Sequence, residues 1–497
     1  MKSTHFLILF LIILSGCNIK DVSLHSNAEW AFPLINGNIK ATNLIRESTS
    51  DAELIISQDG SLTLKYTGEV LQLTKRDIFT PIPGGIPIPM LDTLVQITLP
   101  NVNNVIIKRS VLNQGNYMIS YSHTRPENIK LQFWVPEMSV NNEPLLNIFD
   151  IPYKGILPVS GTSSKYSLND IVLKPINNKI TLRYIGTNEM GERFKITAGF
   201  FSFDQIDFKY IEGYIGQNVY DIKKDSIEID FYTGISGDNA TIDDPKVTMT
   251  AVNSFGFPTK ALINQFVVET NTGSVNFQSP LLDAGLTFNF PKVTEAGQSK
   301  TTNYVFDKSN SNVKDIFNTQ TRRVVYDIDA LSNPDQVQDS TYFVTDSSKV
   351  TITVTIEFPV KGTVKQYPAS KIFDVDASPL SDLEEGGLLI KTTNLIPIAA
   401  DMQLYLMDKN GQVFDSVFAL PQTLIMAAKT NALGVSTEAT IHTQVIPIPV
   451  SKIASWSTAK SIKISAWFNS PSNNLPIIVS ARDDIQIQVG FIGKLKI

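Results

Sequence analysis

The chain has 497 residues, of which 42% are hydrophobic and 18% are charged, so it is long enough to bury more than one core. Its formal net charge is −6, and its densest basic clusters are only the pairs Lys223-Lys224 and Arg322-Arg323, which argues against a nucleic-acid partner. One cysteine and four histidines lower the expectation of hydrolase or metalloenzyme chemistry, although carboxylate chemistry stays open.

The first seventeen residues have the pattern of an export signal. Lys2 precedes the apolar run 6–14, and small residues then lead to Cys17, which is the only cysteine. A membrane-spanning anchor needs about 20 apolar residues, and this run is much shorter. The segment resembles a bacterial lipobox, in which the cysteine is acylated and becomes the new N-terminus. The resemblance implies a signal peptide over 1–16, lipidation of Cys17 and attachment to a membrane through several acyl chains.

Period-two alternation of apolar and polar residues dominates the rest of the chain and predicts an all-β protein. Residues 54–56 and 61–66 flank Asp59-Gly60, which indicates a hairpin. Strict alternation predicts further strands over 350–356, 461–467 and 485–489. The Pro- and Gly-rich segment 81–89 predicts an exposed hairpin tip or an edge strand. Short helical turns are expected at three other places, 312–317, 380–385 and 451–456.

Shifts in composition predict three domains after the signal peptide. Polar and Pro-rich stretches place the boundaries near 150 and 335, which gives an N-terminal β domain over 17–150, a middle β-sandwich over 151–335 and a C-terminal β-sandwich over 336–497. The expected architecture is a tandem array of antiparallel sandwiches of immunoglobulin or fibronectin III type.

A weak internal repeat supports related designs for two of these domains. The alternating strand 244–252 runs into Asn253 and then Pro258, and the strand 387–393 runs into Asn394 and then Pro397. An Asn side chain can bond to the nearby backbone and end a strand, while Pro fixes the exit of the chain.

The segment from Asp244 to Pro258 is similar to the late-embryogenesis-abundant type 2 sandwich. The wider layout resembles large, uncharacterised β-rich outer-membrane lipoproteins of Bacteroidota, through residues 30–34, 346–348, 358–362 and 394–415. This resemblance implies tandem sandwiches and a place in the cell envelope, and it carries over no catalytic residues. Lys20-Asp21 after the lipid cysteine is a partial match to the charged patch that directs export to the outer face, which slightly favours surface exposure over a body that faces the periplasm.

Several acidic groups offer candidate chemistry, each with a simpler alternative. The acidic loop with Asp238, Asn239, Asp243 and Asp244 could bind Ca²⁺ or could be a solvated turn. The same-face carboxylate pairs at 327/329 and 374/376 could serve a glycosidase or could be exposed strand faces. The stretch 408–411 is expected to be a hairpin turn. No phosphate-binding glycine loop and no Gly-x-Ser-x-Gly nucleophile motif is found in the sequence.

Aromatic residues and histidines complete the set of candidates. Trp30, Trp134, Trp456 and Trp467 could form sugar-stacking platforms, but core packing is favoured, because three of them (30, 134 and 467) lie within or beside apolar runs. The three histidines outside the signal peptide, at 25, 123 and 442, are too scattered to suggest a metal site.

The sequence therefore predicts a lipid-anchored, non-catalytic protein of the outer membrane. Its expected role is binding, adhesion or envelope architecture, with an envelope protein or a glycan as partner and with no metal or cofactor. The alternative is a carbohydrate-binding lipoprotein of a surface glycan-uptake system, which would need exposed aromatic residues on one face. A carboxylate-based hydrolase would need two acids that face each other across a cleft.

Overall fold

The computed structural model describes residues 29–48, 52–79, 81–85, 87–99, 104–232, 240–338, 341–471 and 475–495. The predicted signal peptide and Cys17 lie outside these residues, as do His25, Asp238 and Asn239. Within them the chain is all-β with several antiparallel sheets, as predicted. None of the described helices is long and apolar enough to cross a membrane.

The strands follow one another along the chain as short segments joined by turns. Those up to residue 151 are β1 (Glu29–Lys40), β2 (Glu53–Ile56), β3 (Leu62–Thr74), β4 (Ile88–Pro89), β5 (Leu94–Thr98), β6 (Ile106–Gln114), β7 (Asn116–His123), β8 (Ile129–Val140) and β9 (Glu143–Ile151). Those from 159 to 306 are β10 (Val159–Thr162), β11 (Tyr166–Ser167), β12 (Val172–Leu173), β13 (Lys179–Asn188), β14 (Arg193–Phe194), β15 (Ala198–Phe203), β16 (Asp207–Tyr214), β17 (Val219–Tyr220), β18 (Asp225–Glu228), β19 (Ala240–Ile242), β20 (Lys246–Asn253), β21 (Thr259–Thr270), β22 (Gly273–Asn276), β23 (Leu286–Phe288) and β24 (Lys300–Phe306).

The remaining strands are β25 (Thr321–Ser332), β26 (Tyr342–Thr345), β27 (Lys349–Pro359), β28 (Lys361–Val364), β29 (Tyr367–Asp374), β30 (Leu383–Asn394), β31 (Ala399–Met407), β32 (Val413–Ser416), β33 (Gln422–Ile425), β34 (Lys429–Thr430), β35 (Ser436–Glu438), β36 (Thr440–Ile448), β37 (Ser461–Asn469), β38 (Ile477–Ile478) and β39 (Asp484–Leu495). The helices are short: α1 (Ala41–Ser48), α2 (Lys75–Ile78), α3 (Pro280–Asp283), α4 (Val313–Phe317), α5 (Val450–Trp456), and 3₁₀ turns at Val293–Glu295 and Ser378–Asp382. The helical turn expected over 380–385 is only half right, because β30 begins at Leu383.

Two sheets of the C-terminal part share one hydrophobic core. Their strand orders are β1-β39-β30-β36 and β29-β37-β31-β32, and β33 also pairs with β31. Leu388 and Val489 of the first sheet and Leu404 and Ile464 of the second belong to the same buried cluster. Alternate residues of each strand point inward because successive side chains of a strand lie on opposite faces.

A second, larger core joins the other two pairs of sheets. One pair consists of β2-β3-β27-β20-β24 and β17-β25-β21-β22, and the other consists of β10-β7-β15-β4 and a nine-stranded sheet built around β13-β8-β12-β6-β16-β26. The alternation predicted for 350–356 is confirmed, because Val350, Ile352, Val354 and Ile356 are fully buried. The predicted edge segment is confirmed as well, since β4 is the last strand of its sheet.

Strand pairs cross both predicted domain boundaries. Pairing of β6 with β16 spans position 150, pairing of β20 with β27 spans position 335, and β1 pairs with β39 across both. The boundaries themselves stay a prediction, but the paired sheets draw their strands from distant parts of the chain. A small sheet likewise combines β19, β28 and β38, which are far apart in the sequence.

The two predicted Asn strand ends have the same local structure. Asn253 and Asn394 are both fully buried. The Oδ1 of Asn253 accepts a hydrogen bond from the Phe255 N–H (2.9 Å), and the Oδ1 of Asn394 accepts one from the Ile396 N–H (2.8 Å). Each side chain thus replaces the partner that the backbone loses where the strand ends, which confirms the physical reason for the sequence repeat.

Candidate functional site

A large opening with an apolar lining lies at one edge of the two C-terminal sheets. It has a volume of about 550 Å³, and we call it the intersheet cavity. Its walls come from β1 and β39 of one sheet, from β29 and β37 of the other, and from α1 and β28. A cavity of this size falls within the range of roughly 300–1,000 Å³ that is usual for small-molecule sites.

The strand β29 leaves space because it is an edge strand and two of the four residues on its inward face, Ala369 and Lys371, do not fill the core. Tyr367, Ala369, Lys371 and Phe373 alternate toward the other sheet, and all four line the cavity. Ala369 fills little volume, and the Lys371 side chain extends toward solvent rather than packing into the core. The sheets therefore do not close completely along this edge.

The opposite wall and the floor are aliphatic. Ile464 and Ala466 of β37 and Ile485 and Ile487 of β39 are all at most 8% exposed. Gly37 of β1 allows a close approach across the cavity, because a Cβ at this position would lie 3.1 Å from Cε1 of Phe373. Burial of an aliphatic ligand against these residues is favourable by roughly 0.8 kcal/mol for each CH₂ group.

The helix α1 covers one end of the cavity. Ala41 is buried and its N–H donates to the Asp483 carbonyl (2.9 Å), which fixes the start of the helix on the C-terminal sheet. Leu44 and Ile45 then face the cavity. Leu64 and Phe231 also line it and belong to the larger core, so the cavity lies at the junction of the two cores.

Among the described residues, the charged side chains of the lining are two lysines, and none is acidic. Lys361 is neutralised by Asp243 (2.7 Å) and Asp244 (2.8 Å). Hydrogen bonds from Lys314 and Lys361 lower the pKa of Asp243 to about 2. Lys371, in contrast, is exposed and makes no ion pair or side-chain hydrogen bond within the described residues. The cavity therefore carries one uncompensated positive charge.

Few other polar side chains face the cavity. Thr241 and Thr363 bond to each other through their hydroxyl groups (2.7 Å), and Ser370 lies on β29 near the opening. A polyhydroxylated ligand would lose hydrogen bonds to water here without replacing most of them. The lining suits an apolar ligand.

The acidic candidates of the sequence lie elsewhere and are engaged in local interactions. Asp243 and Asp244 are ion-paired with lysines, as described above. Asp327 and Asp329 lie on one face as predicted, and the Asn264 side chain bridges them with donor–acceptor distances of 3.3 and 2.7 Å. No group of three or more metal-ligating side chains occurs among the described residues.

The remaining acidic candidates, the pair 374/376 and the stretch 408–411, lie at the end of a strand and in a turn. Asp374 and Asp376 are exposed at the end of β29, and Asp376 accepts a hydrogen bond from the Ser378 N–H. The predicted turn at 408–411 is confirmed, because Asp408 accepts hydrogen bonds from the backbone N–H groups of Asn410 and Gln412.

The tryptophans do not share a face. Trp456 is buried, as expected, and its Nε1 donates to Asp415 (2.6 Å). Trp134 and Trp467 are half-buried on β8 and β37. The expectation of core packing is wrong for Trp30, which is 49% exposed, because it lies at the start of an edge strand opposite Gly493. No two of the four belong to one sheet.

The two histidines that the structure describes do not face the cavity. His123 is buried, and burial lowers its pKa below the usual value. His442 is half-buried on β36 next to Gln444. The cavity was not predicted from the sequence, and its one local sign is that Ala369 and Lys371 lie between two aromatic residues on the inward face of β29.

Comparisons with known proteins give no family for this chain. No protein-family model matches it, and no curated protein does. Solved structures that resemble it include a candidate secreted protein of Parabacteroides distasonis, with 9% identity, a TM-score of 0.29 and coverage of 94% of this chain and 100% of the other. Parabacteroides belongs to the Bacteroidota.

Capsid structures of infectious bursal disease virus resemble the chain to a lesser degree. The Gx strain particle has 8% identity, a TM-score of 0.16 and coverage of 91% and 84% of the two chains, and the VP2 subviral particle has 8% identity, a TM-score of 0.16 and coverage of 95% and 83%. At TM-scores this far below 0.5, none of these likenesses carries an argument about the site.

Proposed function

We propose that the chain is a lipid-anchored protein of the bacterial outer membrane, acylated on Cys17, that binds an apolar small molecule in the intersheet cavity without catalysis. The observation that carries the proposal is the cavity of about 550 Å³ with an aliphatic lining and few polar side chains. Rigid sheets on both sides hold it open, so binding needs little rearrangement.

The proposed architecture is a tandem array of β-sandwiches, related to the late-embryogenesis-abundant type 2 design. Shared cores between paired sheets and the two matching Asn strand ends support it. A binding role in the envelope, facing the cell surface, agrees with the lipobox and with the mild acidic charge. The glycan-binding alternative has less support, because the tryptophans lie on separate elements.

Binding of an uncharged apolar fluorophore, N-phenyl-1-naphthylamine, to the purified full-length protein tests this proposal. Ala369→Trp fills the cavity from its edge strand, and we expect it to abolish the fluorescence increase that the unchanged protein shows. Ile372→Trp places the same ring on the outward face of β29, where Ile372 is 54% exposed, and should leave binding intact. Ala369→Leu serves as a smaller filling variant, and circular dichroism checks the fold of each variant.

Two results would overturn the proposal. One is that the unchanged protein does not bind the fluorophore. The other is that both tryptophan variants bind it equally well.

A further inference from the structure

The lining of the intersheet cavity includes charged side chains that have no role in the binding of an uncharged apolar ligand. Its lining, as far as the structure describes it, contains two lysines and no carboxylate, and Lys361 is already paired with Asp243 and Asp244. Lys371 is the lysine of the lining that has no acidic partner among the described residues. A ligand that fills the apolar space therefore meets one available ammonium group.

The position of Lys371 places this ammonium at the opening of the cavity. It lies on the edge strand β29 between Ala369 and Phe373, whose side chains also line the cavity, and its own side chain is exposed. It pairs in register with Ile464 of β37, which is 4% exposed. A lysine that extends from an apolar wall into water can contact the polar end of a ligand whose apolar part lies inside.

From this arrangement we propose that the ligand is a single-chain amphiphile with an anionic head group, such as a long-chain carboxylate, whose head group contacts Lys371. The inference rests on the proposed function, since it names the ligand class of the same cavity. An aliphatic chain suits a lining with few free hydrogen-bond partners, where Thr241 and Thr363 bond each other. A negative head group suits a lining whose described charged side chains are lysines.

The charge preference can be measured with three ligands that carry the same twelve-carbon chain. Dodecanoate, dodecyl phosphate and dodecyltrimethylammonium, each below its micelle concentration, are used to displace N-phenyl-1-naphthylamine from the full-length protein. We expect both anions to bind more tightly than the cation. The preference should weaken as the salt concentration rises from about 0.1 to about 1 M, because the ammonium group is exposed and therefore screened.

Substitution of the lysine isolates its contribution. Lys371→Met keeps the length of the side chain without its charge, and we expect it to weaken dodecanoate binding roughly five- to tenfold, as for a charge-assisted hydrogen bond at a partly exposed site. Lys371→Arg should retain most of the affinity. Lys463→Met, on the outward face of the neighbouring strand β37, is the matched control and should change nothing.

The outcomes separate this inference from the proposed function. If the fluorophore binds and Ala369→Trp blocks it, but the anions show no advantage or Lys371→Met leaves dodecanoate affinity unchanged, the anionic class is wrong and the cavity remains a binding site. If the fluorophore does not bind at all, the proposed function itself fails.

Discussion

Substitution of Asn394 tests whether the strand-ending asparagines stabilise the fold as the structure implies. This fully buried side chain accepts a hydrogen bond from the Ile396 N–H and donates to the carbonyls of Ile398 and Met426, each at 2.8 Å. Asn394→Ala leaves three backbone groups without their partner. With a cost of about 1 kcal/mol for each, the free energy of unfolding of the C-terminal sheets should fall by about 3 kcal/mol.

Two matched variants provide a comparison for this expected loss in the free energy of unfolding. Asn253 makes two comparable bonds, to the Phe255 N–H and to the Asn289 carbonyl (3.2 Å), so Asn253→Ala should cost roughly 2 kcal/mol. Asn410 lies in an exposed turn, where its side chain makes one long contact to Asp408 (3.4 Å), and Asn410→Ala should cost less than about 0.5 kcal/mol.

The measurement is urea unfolding of the full-length protein, followed by hydrogen exchange to assign each loss to its sheets, because a chain with two cores need not unfold in one step. Asn394→Ala should speed exchange in β30 and β39, and Asn253→Ala in β20 and β27. Equal stability of the Asn394→Ala and Asn410→Ala proteins would refute the claim that the side chain replaces lost backbone partners.

Other features of the chain give three further predictions. The pKa of Asp243 is lowered to about 2 from its usual 3.8 by its lysine partners, so its stabilisation is present above about pH 4 and is lost as the pH falls through 2. Asp243→Asn should therefore reduce the loss of stability between about pH 5 and 2.5 by roughly 1 kcal/mol in thermal or urea unfolding, and an unchanged acid profile would contradict this. Trp456→Phe removes the donor to Asp415 and should cost about 2 kcal/mol, whereas Trp134→Phe, at a half-buried position, should cost less; the reverse order would be incompatible with the contact. Cys17→Ser should move the protein from the detergent phase to the aqueous phase in Triton X-114 partition, and retention in the detergent phase would exclude the lipid anchor.

Local patterns predicted the local structure. The strand over 350–356 and the hairpin at Asp59-Gly60 depend on neighbouring residues only, and both are present. Trp456 lies between two serines and is buried, whereas Trp30 precedes an alanine and is exposed, because burial depends on which elements lie beside each ring. No local pattern could show that the start of β1 lies at the edge of a sheet.

Long-range pairing explains what the sequence could not predict about the site. The cavity needs β29 beside β37 and β1 beside β39, and residues of β1 and β39 are separated by more than four hundred positions. Nothing in the local sequence distinguishes Lys371 from other exposed lysines, because its place at the cavity depends on the pairing of both sheets. The charge of Asp243 and Asp244 was visible in the sequence, but the lysines that neutralise it come from β28 and α4.

The pairing of the first described strand with the last one brings the two ends of the described part of the chain together. Glu29 lies opposite Lys494 in the ladder, and neighbouring strands are about 4.8 Å apart. A short peptide could therefore join these ends, and new termini could be opened at the surface turn near Gly411 to give a circular permutant. A reporter fused directly behind β39 would likewise lie beside the start of β1, which is the end of the described chain nearest in sequence to the proposed lipid anchor.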